Sequence, residues 1–468
     1  MPDRSLAIES DARRTEDDPL ICTLANSAWL AGCLPELARF RRALRNVREE
    51  QEKILRRLVP SAKNVQDYQQ HFPLNDDVDV PQNVKLLQPT SGSTGPTKLI
   101  PYTEPLQREF QRGIRAWIAD LFLDDPRLMT GSAYWSVSPS NVEPALQPAK
   151  SRPYIPIGFD DDSAYVGGWQ RRLVQSVMVR TREELIRARN LRLISVWNPT
   201  FLSILVDGLD TEKLWPNLRL ISCWTDANAA APATKLAKLF PQARIQGKGL
   251  IATEGFISFP LTGHEGSVLA IRSHFLEFIP IGSETALLAH ELDPGQQYSV
   301  VITTGGGLHR YQLNDVIEVI GRVEQCPLIR FVGRRFVSDW FGEKLNEAFV
   351  ANVLRDTLGT LPSFAMLACD TDIPAYVLYI DGEAPQTLAE KVEARLRQNF
   401  HYDYARFLGQ LQALRIAQVP RAGEIYQQFC VQNGQKAGDV KPLALDRRPG
   451  SQIFPASTSL MNLTMARK

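Results

Sequence analysis

The sequence lacks a strong charge of either sign, a signal peptide and a long apolar run. Its 468 residues include 53 Lys and Arg and 52 Asp and Glu, which leaves a formal net charge of +1. A chain so close to neutrality has no global field of the kind that nucleic-acid and membrane-surface binders use. No apolar run reaches the length that spans a bilayer, and residues 1–20 read as a polar tail. We therefore expect no nucleic-acid partner, no membrane and a cytoplasmic location.

Motifs for metals, disulfides and P-loop nucleotide sites are also missing. The six cysteines are scattered and form no CxxC pair, so the sequence indicates neither a zinc site nor a disulfide framework. No Gly-Lys-Ser/Thr sequence is present, which argues against a P-loop kinase or GTPase. A nucleotide-binding function, if there is one, therefore depends on other loops.

Strand-like and helix-like runs alternate through the first two thirds of the chain, an order that favours an α/β core with parallel strands. The spacing of apolar residues predicts an early helix from Glu36 to Val59 and another just after Thr103, which would cap it. After Gly333 the pattern becomes compact α+β. We therefore divide the chain into a polar tail at 1–20, a large domain at 21–333 and a small domain at 334–468.

The strongest local signal is a loop of small residues that runs from Thr90 to Lys98 between a strand and a helix. Backbone N–H groups and hydroxyls in such a loop can hold phosphate oxygens, and Lys98 adds a positive charge. A flexible surface turn is the alternative, and it would be favoured for the small residues alone. The flanking strand and helix and the terminal lysine make a phosphate-binding loop the better interpretation.

Two further motifs carry side chains suited to a nucleotide. Thr253 and Glu254 follow a strand and offer a hydroxyl and a carboxylate, which is a usual way to hold Mg²⁺ beside phosphates. Asp315 follows the glycines at 305–307 and can accept hydrogen bonds from two ribose hydroxyls. Each signal is weak alone, since a loop glutamate is usually solvated and the glycine segment also fits a hairpin.

The fourth and fifth motifs lie where the composition changes and near the C-terminus. Phe331-Val-Gly-Arg334 is followed by Gly342-Glu-Lys-Leu-Asn-Glu347, and Gly434-Gln-Lys436 is followed by Asp439-Val-Lys-Pro442. Lysines in such a tail are normally solvated. The order of all five motifs along the chain is more specific than any one of them.

Taken in order, the five motifs resemble those of the adenylate-forming superfamily. The segments Ser195–Phe201, Ile221–Asp226, Gln246–Gly255 and Leu308–Tyr311 look like the bacterial branch of the Gretchen Hagen family of acyl acid amido synthetases. The resemblance extends from about Glu36 to Leu445. It implies an α/β fold with a large N-terminal adenylating domain, whose mixed, largely parallel sheets are flanked by helices, and a small mobile α+β C-terminal domain.

The resemblance implies a ligase that uses ATP and Mg²⁺. A small carboxylic acid and ATP would give an acyl-adenylate and pyrophosphate, and an amine, usually that of an amino acid, would then attack the acyl carbon and expel AMP. The alternatives are an acyl-CoA ligase, which shares the first step, and a catalytically silent nucleotide-binding protein. Release of pyrophosphate, followed by consumption of amines or of CoA, distinguishes the three.

The resemblance also assigns roles to individual residues. The phosphates are bound by Ser91, Gly92, Ser93, Thr94, Gly95 and Lys98. Thr253, Glu254 and Gly255 serve adenine, AMP and Mg²⁺, with Glu254 as the metal ligand, while Asp315 holds the ribose and Arg334 sits at the hinge. Lys344 and Lys441 belong to the mobile domain and act together with Lys98 in catalysis, although Lys436 is an alternative to Lys441. Trp135, Trp197 and Phe201 line the acyl pocket, although aromatic residues at such spacing more often belong to a core.

The sequence departs from the plant pattern in two motifs. Ile251-Ala-Thr-Glu254 replaces a segment with an aromatic residue and two serines, so any stacking on adenine must come from elsewhere or be aliphatic. Gln312 and Asn314 replace an arginine and a glycine near Asp315. A phosphate or acyl role for that arginine therefore does not carry over.

Overall fold

The computed structural model describes residues 18–81, 83–89, 98–135, 176, 178–179, 181–335, 337–358, 364–370, 372–385, 387–433 and 443–455. These residues form two compact units. The first contains residues 18–89 and Leu99–Gly333, and the second begins at Arg334 and also includes Lys98. The class is mixed α/β, as the sequence predicts.

The first unit contains helices and strands in alternation. Its helices are α1 (Pro19–Ala43), α2 (Val47–Leu58), α3 (Val65–His71), α4 (Glu104–Asp124), α5 (Arg182–Arg187), α6 (Pro199–Leu205), α7 (Thr211–Leu214) and α8 (Ala230–Leu239). Its strands are β1 (Leu86–Pro89), β2 (Leu99–Tyr102), β3 (Ser132–Trp135), β4 (Met178–Val179), β5 (Leu191–Ser195), β6 (Leu220–Cys223), β7 (Arg244–Gly247), β8 (Ser258–Phe259), β9 (Ser267–Leu269), β10 (Phe275–Pro280), β11 (Leu287–Leu288), β12 (Gln297–Thr303), β13 (Tyr311–Val323) and β14 (Cys326–Arg334). Short 3₁₀ turns lie at Pro126–Thr130, Ala227–Ala229 and Ala289–Glu291.

Helix α1 begins earlier than the sequence predicts, and the single helix expected to start at Glu36 is interrupted between Ala43 and Val47. The carboxylate of Asp18 caps α1 by accepting from the N–H of Leu20 at 2.8 Å. By length and composition, α1 would also be able to cross a membrane, which corrects the expectation that no apolar run is long enough. In this structure its apolar side chains pack into the core of the first unit, where those of Trp29 and Phe40 are buried.

Helix α4 confirms the prediction made from Thr103. The hydroxyl of Thr103 accepts from the N–H of Leu106 at 3.2 Å, which satisfies one of the donors that a helix N-terminus leaves unpaired. Apolar residues at helical spacing, such as Phe110 and Trp117, place one face of α4 in the core. This helix lies against two of the loops that carry predicted site residues.

A five-stranded parallel sheet has the order β4-β3-β5-β6-β7, and every pair in it is parallel. The predicted alternation of strands and helices is thereby confirmed. Ligands of open α/β sheets bind outside the carboxyl ends of the strands, near the point where the strand order reverses. In this sheet the order reverses beside β3, which ends at Trp135, and β5, which ends at Ser195.

A second sheet has seven strands in the order β11-β10-β12-β13-β14-β9-β8. The pairings of β10 with β12 and of β12 with β13 are antiparallel, so parallel pairing belongs to the five-stranded sheet. Most residues of β10 and β12 are buried, as in a strand covered on both faces. Strand β13 carries Asp315 within this sheet.

The second unit is a smaller α+β assembly. Its strands are β15 (Val337–Ser338), β16 (Leu345–Asn346), β17 (Ala365–Asp370), β18 (Ala375–Ile380) and β19 (Arg415–Gln418), and its helices are α9 (Glu347–Leu358), α10 (Leu388–Leu396), α11 (Phe400–Phe407), α12 (Ala422–Gln432) and α13 (Gly450–Ile453). Strand β18 lies between β17, which is antiparallel to it, and β19, which is parallel. The core of this unit includes Tyr376 and Tyr402, both fully buried.

Candidate active site

The predicted phosphate loop falls largely outside the described residues, since the structure describes neither Ser91–Gly95 nor the C-terminal Lys436 and Lys441. Their roles stay predictions. Strands β1 and β2 pair in antiparallel fashion, with Pro89 opposite Leu99. The two ends of the loop are therefore held side by side. Lys98 directly precedes β2 and is half-buried.

The turn at Thr253, Glu254 and Gly255 is fixed by main-chain hydrogen bonds. The N–H of Ala252 donates to the carbonyl of Gly255 at 2.9 Å, and the N–H of Gly255 donates back at 3.2 Å. The hydroxyl of Tyr102 donates to the carbonyl of Thr253 at 2.6 Å. The Thr253 side chain is half-buried and that of Glu254 is only 4% exposed. The turn thus holds one hydroxyl and one carboxylate on a rigid backbone.

A buried pair, Glu109 and His274, connects this turn to the glycine loop at 305–307. His274 accepts from the N–H of Phe256 at Nε2 (2.9 Å), so Nδ1 carries the proton and donates to Oε2 of Glu109 at 2.9 Å. Glu109 also accepts from the N–H of Gly305, at 3.1 and 3.0 Å to its two oxygens. One carboxylate on α4 therefore positions both loops.

Two glycines allow these loops to lie close to α4. A Cβ on Gly305 would lie 2.5 Å from Cβ of Pro105 and 2.7 Å from Oε1 of Glu109. A Cβ on Gly113, within α4, would lie 2.2 Å from the ring of Phe256. Such distances are below any van der Waals contact, so neither position has room for a side chain. No sequence motif indicated a role for Glu109, His274 or Gly113.

Asp315 lies at an irregularity in β13. The register with β12 shifts between Val301, which faces Gln312, and Ser299, which faces Val316. Asn314 has a φ of 62°, a left-handed conformation that asparagine tolerates better than most residues, in place of the glycine of the plant pattern. Such bulges re-aim side chains next to active sites. Asp315 itself is 6% exposed and lies within strand β13.

Arg310, in the same motif, has a structural role. Its guanidinium forms a buried ion pair with Glu277, with Nε 3.1 Å from Oε2. Its Nη1 donates to the carbonyls of Gln69 and Phe72 at 3.2 and 3.0 Å. This arginine anchors the segment after α3 to the seven-stranded sheet, so we assign it no contact with substrate.

One of the three predicted acyl-pocket residues, Trp197, lies against the buried Lys248, and a second, Trp135, is connected to that lysine through Trp117. Nζ of Lys248 lies 5.0 Å from the ring centroid of Trp197 and 5.6 Å from that of Trp117, which is itself 6.0 Å from the ring of Trp135. Nζ of Lys248 donates to Oγ of Ser195 at 2.6 Å. Burial lowers the pKa of Lys248 to about 7.

Phe201 does not join this group. It lies half-buried on α6 and, within the described part of the chain, makes no ring contact with these tryptophans. Its assignment to the acyl pocket stays a prediction. Lys248, in contrast, lies within the segment Gln246–Gly255, but no motif indicated a role for it. Its signal was a lysine between two glycines directly after a strand.

In the second unit, Arg334 and Lys344 both act on the carboxyl group of Asp339. Burial raises the pKa of Asp339, and the positive charges of Lys344 and Arg334 oppose that rise. Lys344 has a φ of 46° and is half-buried. The neighbouring Glu343 is fully buried and accepts from the N–H of Trp340 at 2.8 Å. It also accepts from the N–H of Phe341 and the hydroxyl of Tyr376. These bonds fix the loop that carries Lys344.

Glu343 should make the stability of the protein depend on pH. Burial, together with the charge of Asp339, raises the pKa of Glu343 from 4.5 to about 7. As the pH rises, the carboxyl group of Glu343 therefore loses its proton at a lower pH in the unfolded chain than in the folded chain. The free energy of unfolding should fall as the pH rises from 4.5 to 7. The slope should approach about 1.4 kcal/mol per pH unit. Urea unfolding between pH 4.5 and 7 measures it.

Glu343→Gln should flatten this slope, since glutamine does not titrate. The exposed Glu390→Gln on α10 is the matched control and should leave the slope as it is. If Glu343→Gln keeps the wild-type slope, Glu343 is ionised throughout this range and the inferred pKa is wrong.

Within the described ranges, no three His, Cys, Asp or Glu side chains group into a metal site. Mg²⁺ beside a nucleotide commonly takes only one or two carboxylates, because phosphate oxygens and water complete its coordination. The single buried carboxylate of Glu254, next to the hydroxyl of Thr253, fits that donor set. The metal role of Glu254 remains a prediction.

Two family profiles match the chain. Residues 267–334 match the GH3 family central domain, and residues 347–448 match the GH3 family C-terminal domain. The first match covers β9 to β14, including Asp315, and the second covers most of the second unit. The two matches lie on either side of the loop that carries Lys344.

Curated relatives share parts of the sequence. A probable indole-3-acetic acid-amido synthetase, GH3.6, from Oryza sativa subsp. japonica is 28% identical over 269 residues, which is 51% of each chain. A human GH3 domain-containing protein is 25% identical over 186 residues, 32% of this chain and 35% of that one. The chain therefore spans about half the length, or less, of these relatives.

Solved structures share the fold along nearly the whole chain. AtGH3.15 acyl acid amido synthetase in complex with 2,4-DB has a TM-score of 0.53 at 14% identity, covering 92% of this chain and 96% of that one. A second structure, GH3.15 acyl acid amido synthetase, gives a TM-score of 0.52 at 13% identity, covering 91% and 95%. Residues 267–334 and 347–448 therefore match the central and C-terminal domains of the GH3 (Gretchen Hagen) family, and the chain shares its fold with a solved acyl acid amido synthetase.

Proposed function

We propose that this protein is an ATP-dependent ligase that adenylates a small carboxylic acid and transfers the acyl group to an amine, such as that of an amino acid. The observation that carries the proposal is the Glu109–His274 pair, which ties the Thr253–Gly255 turn and the Gly305 loop to α4. Both loops carry motifs of the adenylate-forming pattern. The central and C-terminal GH3 domains and the shared fold support the same reaction.

The chemistry of these residues suits adenylation. A carboxylate is a poor electrophile, and attaching AMP to it provides a good leaving group. When bound, Mg²⁺ offsets the negative charge that builds as the carboxylate approaches the α-phosphate. Glu254 would hold the ion, Asp315 would accept the ribose hydroxyls, and Lys98 would stabilise the phosphates. A cytoplasmic location and a catalytic role for Lys441 stay predictions.

Exchange of labelled pyrophosphate into ATP, with a pool of carboxylic acids, tests the proposal. We expect exchange that depends on added acid. Single-turnover transfer from the preformed adenylate then compares amino acids with CoA, and we expect only the amines to be consumed. No exchange with any acid would contradict the proposal, and transfer to CoA alone would make the protein an acyl-CoA ligase.

Asp315→Ala should weaken ATP binding more than acid binding. Its carboxylate is assigned to two ribose hydroxyls, and hydrogen bonds to a charged group are each worth about 1.5–3 kcal/mol. We therefore expect the KM for ATP to rise at least tenfold, with little change in the KM for the acid. Steady-state exchange kinetics measure both constants.

Glu318→Ala, three residues further along β13, is the control and should change neither constant, since its side chain is only half-buried. A rise confined to the KM for the acid would move Asp315 to the acyl pocket.

A further inference from the structure

Four side chains form a row across one face of the parallel sheet. Trp135, Ser195, Ser222 and Gln246 are register partners on β3, β5, β6 and β7. Side chains alternate between the two faces of a strand, so partners in register point to the same face. Helix α4 crosses this row, because Trp117 donates from Nε1 to Oε1 of Gln246 at 3.2 Å and its ring lies against Trp135.

Among the described residues, several hydrogen-bond donors around this row have no acceptor. A charged Lys248 has three N–H donors, and the bond to Ser195 uses one of them. Within the described residues, Nε1 of Trp135 and Oγ of Ser222 are buried without a hydrogen-bond partner. An ammonium and an indole N–H can only donate. The missing group is therefore an acceptor, such as the oxygen of a carboxylate, carbonyl or hydroxyl.

The electrostatics also favour a negatively charged or polar oxygen. Among the described residues, the titratable group that acts on Lys248 is the thiol of Cys223 at the end of β6. Burial raises the pKa of that thiol to about 11, so it is neutral at physiological pH. Ser195, Trp117 and Trp197, which face Lys248 from the other elements, carry no charge. The two indole rings compensate the ammonium only in part.

We propose that Lys248 determines substrate specificity by binding a second acceptor oxygen, at the end of the acyl group remote from the reacting carboxylate. The inference rests on the proposed function. Trp135 and Trp197 are half-buried, whereas Lys248 is 5% and Ser222 0% exposed, so the lysine is buried more deeply than the two tryptophans. The reacting carboxylate stays with the nucleotide, and the far end of the acid reaches Lys248. The substrates are thus dicarboxylic, oxo or hydroxy acids with a flat or apolar body.

Pairs of acids that differ only at the far end test this inference. Terephthalate is compared with 4-isopropylbenzoate, and adipate with 6-methylheptanoate, within a wider pool of such pairs. The measurement is kcat/KM for pyrophosphate exchange with the full-length protein. We expect the wild type to favour the oxygen-bearing member at least tenfold, and Lys248→Met to abolish or reverse the preference. Lys238→Met, at an exposed position on α8, is the control and should keep it.

A pH series supplies a second readout. Lys248 titrates near pH 7, so the preference for the oxygen-bearing acid should decline from pH 6 to pH 9. Lys248→Met should show a flat ratio, whereas Lys248→Arg should retain a preference at pH 9. Lys248→Met should also raise the thermal midpoint at pH 7, because it removes a buried charge.

The outcomes separate the inference from the proposed function. No exchange by the wild type with any acid would contradict the proposed function. Exchange without a preference for the second oxygen would overturn the inference alone, and water would then satisfy the buried donors. An equal loss for both members of each pair in Lys248→Met would also overturn it, since the lysine would then hold the reacting carboxylate or the fold.

Discussion

Glu109→Ala should destabilise the protein by about 3–5 kcal/mol and abolish adenylation. The carboxylate is 1% exposed and accepts from both Nδ1 of His274 and the N–H of Gly305. Its loss would leave two buried donors unpaired, each at a cost of about 1–3 kcal/mol. His274 would also lose the partner that fixes its tautomer, and with it the support for the N–H of Phe256. Urea unfolding and pyrophosphate exchange measure the two effects.

Glu104→Ala is the matched control on the same helix. Glu104 is exposed and, among the described residues, pairs with Arg108 one turn away, so its loss should cost less than about 0.5 kcal/mol and leave exchange intact. Glu109→Gln keeps the size of the side chain, so its loss of stability and of exchange activity should lie between those of Glu109→Ala and Glu104→Ala. If Glu109→Ala behaves like Glu104→Ala in both measurements, the two loops are held by something other than this carboxylate.

Glu254→Gln should lower the rate of adenylation about a hundredfold, which corresponds to ~2.7 kcal/mol of barrier. The substitution keeps the size of the side chain and removes the charge assigned to Mg²⁺. The Mg²⁺ concentration for half-maximal exchange should therefore rise as well. A titration of exchange rate against Mg²⁺ at saturating ATP and acid measures both.

Glu265→Gln is the matched control for Glu254→Gln. Glu265 is 81% exposed and pairs with Arg330 at the surface, so its substitution should change neither rate nor Mg²⁺ dependence. A slow Glu254→Gln enzyme with the wild-type Mg²⁺ dependence would show that Glu254 positions the turn instead of binding the metal.

Local signals in the sequence predicted local structure well. The Thr103 cap and the spacing of Phe110 and Trp117 gave α4, and alternation gave the parallel sheet. The start of α1 was missed because Pro35 lies inside the helix, and a proline usually marks a boundary. The predicted helix began at Glu36, one residue after Pro35, and the interruption between Ala43 and Val47 was not predicted.

The connections between elements could not be predicted. Glu109 and His274 are 165 residues apart, and nothing in their neighbourhoods indicates that they pair. Lys248 and Ser195 are 53 residues apart, each at the end of a different strand. The motifs therefore indicated which loops carry the chemistry, but the residues that hold those loops together became visible only in three dimensions.

The row across the parallel sheet shows how side chains on one face of this fold can change during evolution. Trp135, Ser195, Ser222 and Gln246 each come from a different strand, while main-chain hydrogen bonds hold the strands in register. A substitution at one position changes one side chain of this face and leaves the main-chain hydrogen bonds between the strands intact. The side chains of this face can therefore change one at a time on a stable frame, while Trp117 couples the two outer positions, Trp135 and Gln246.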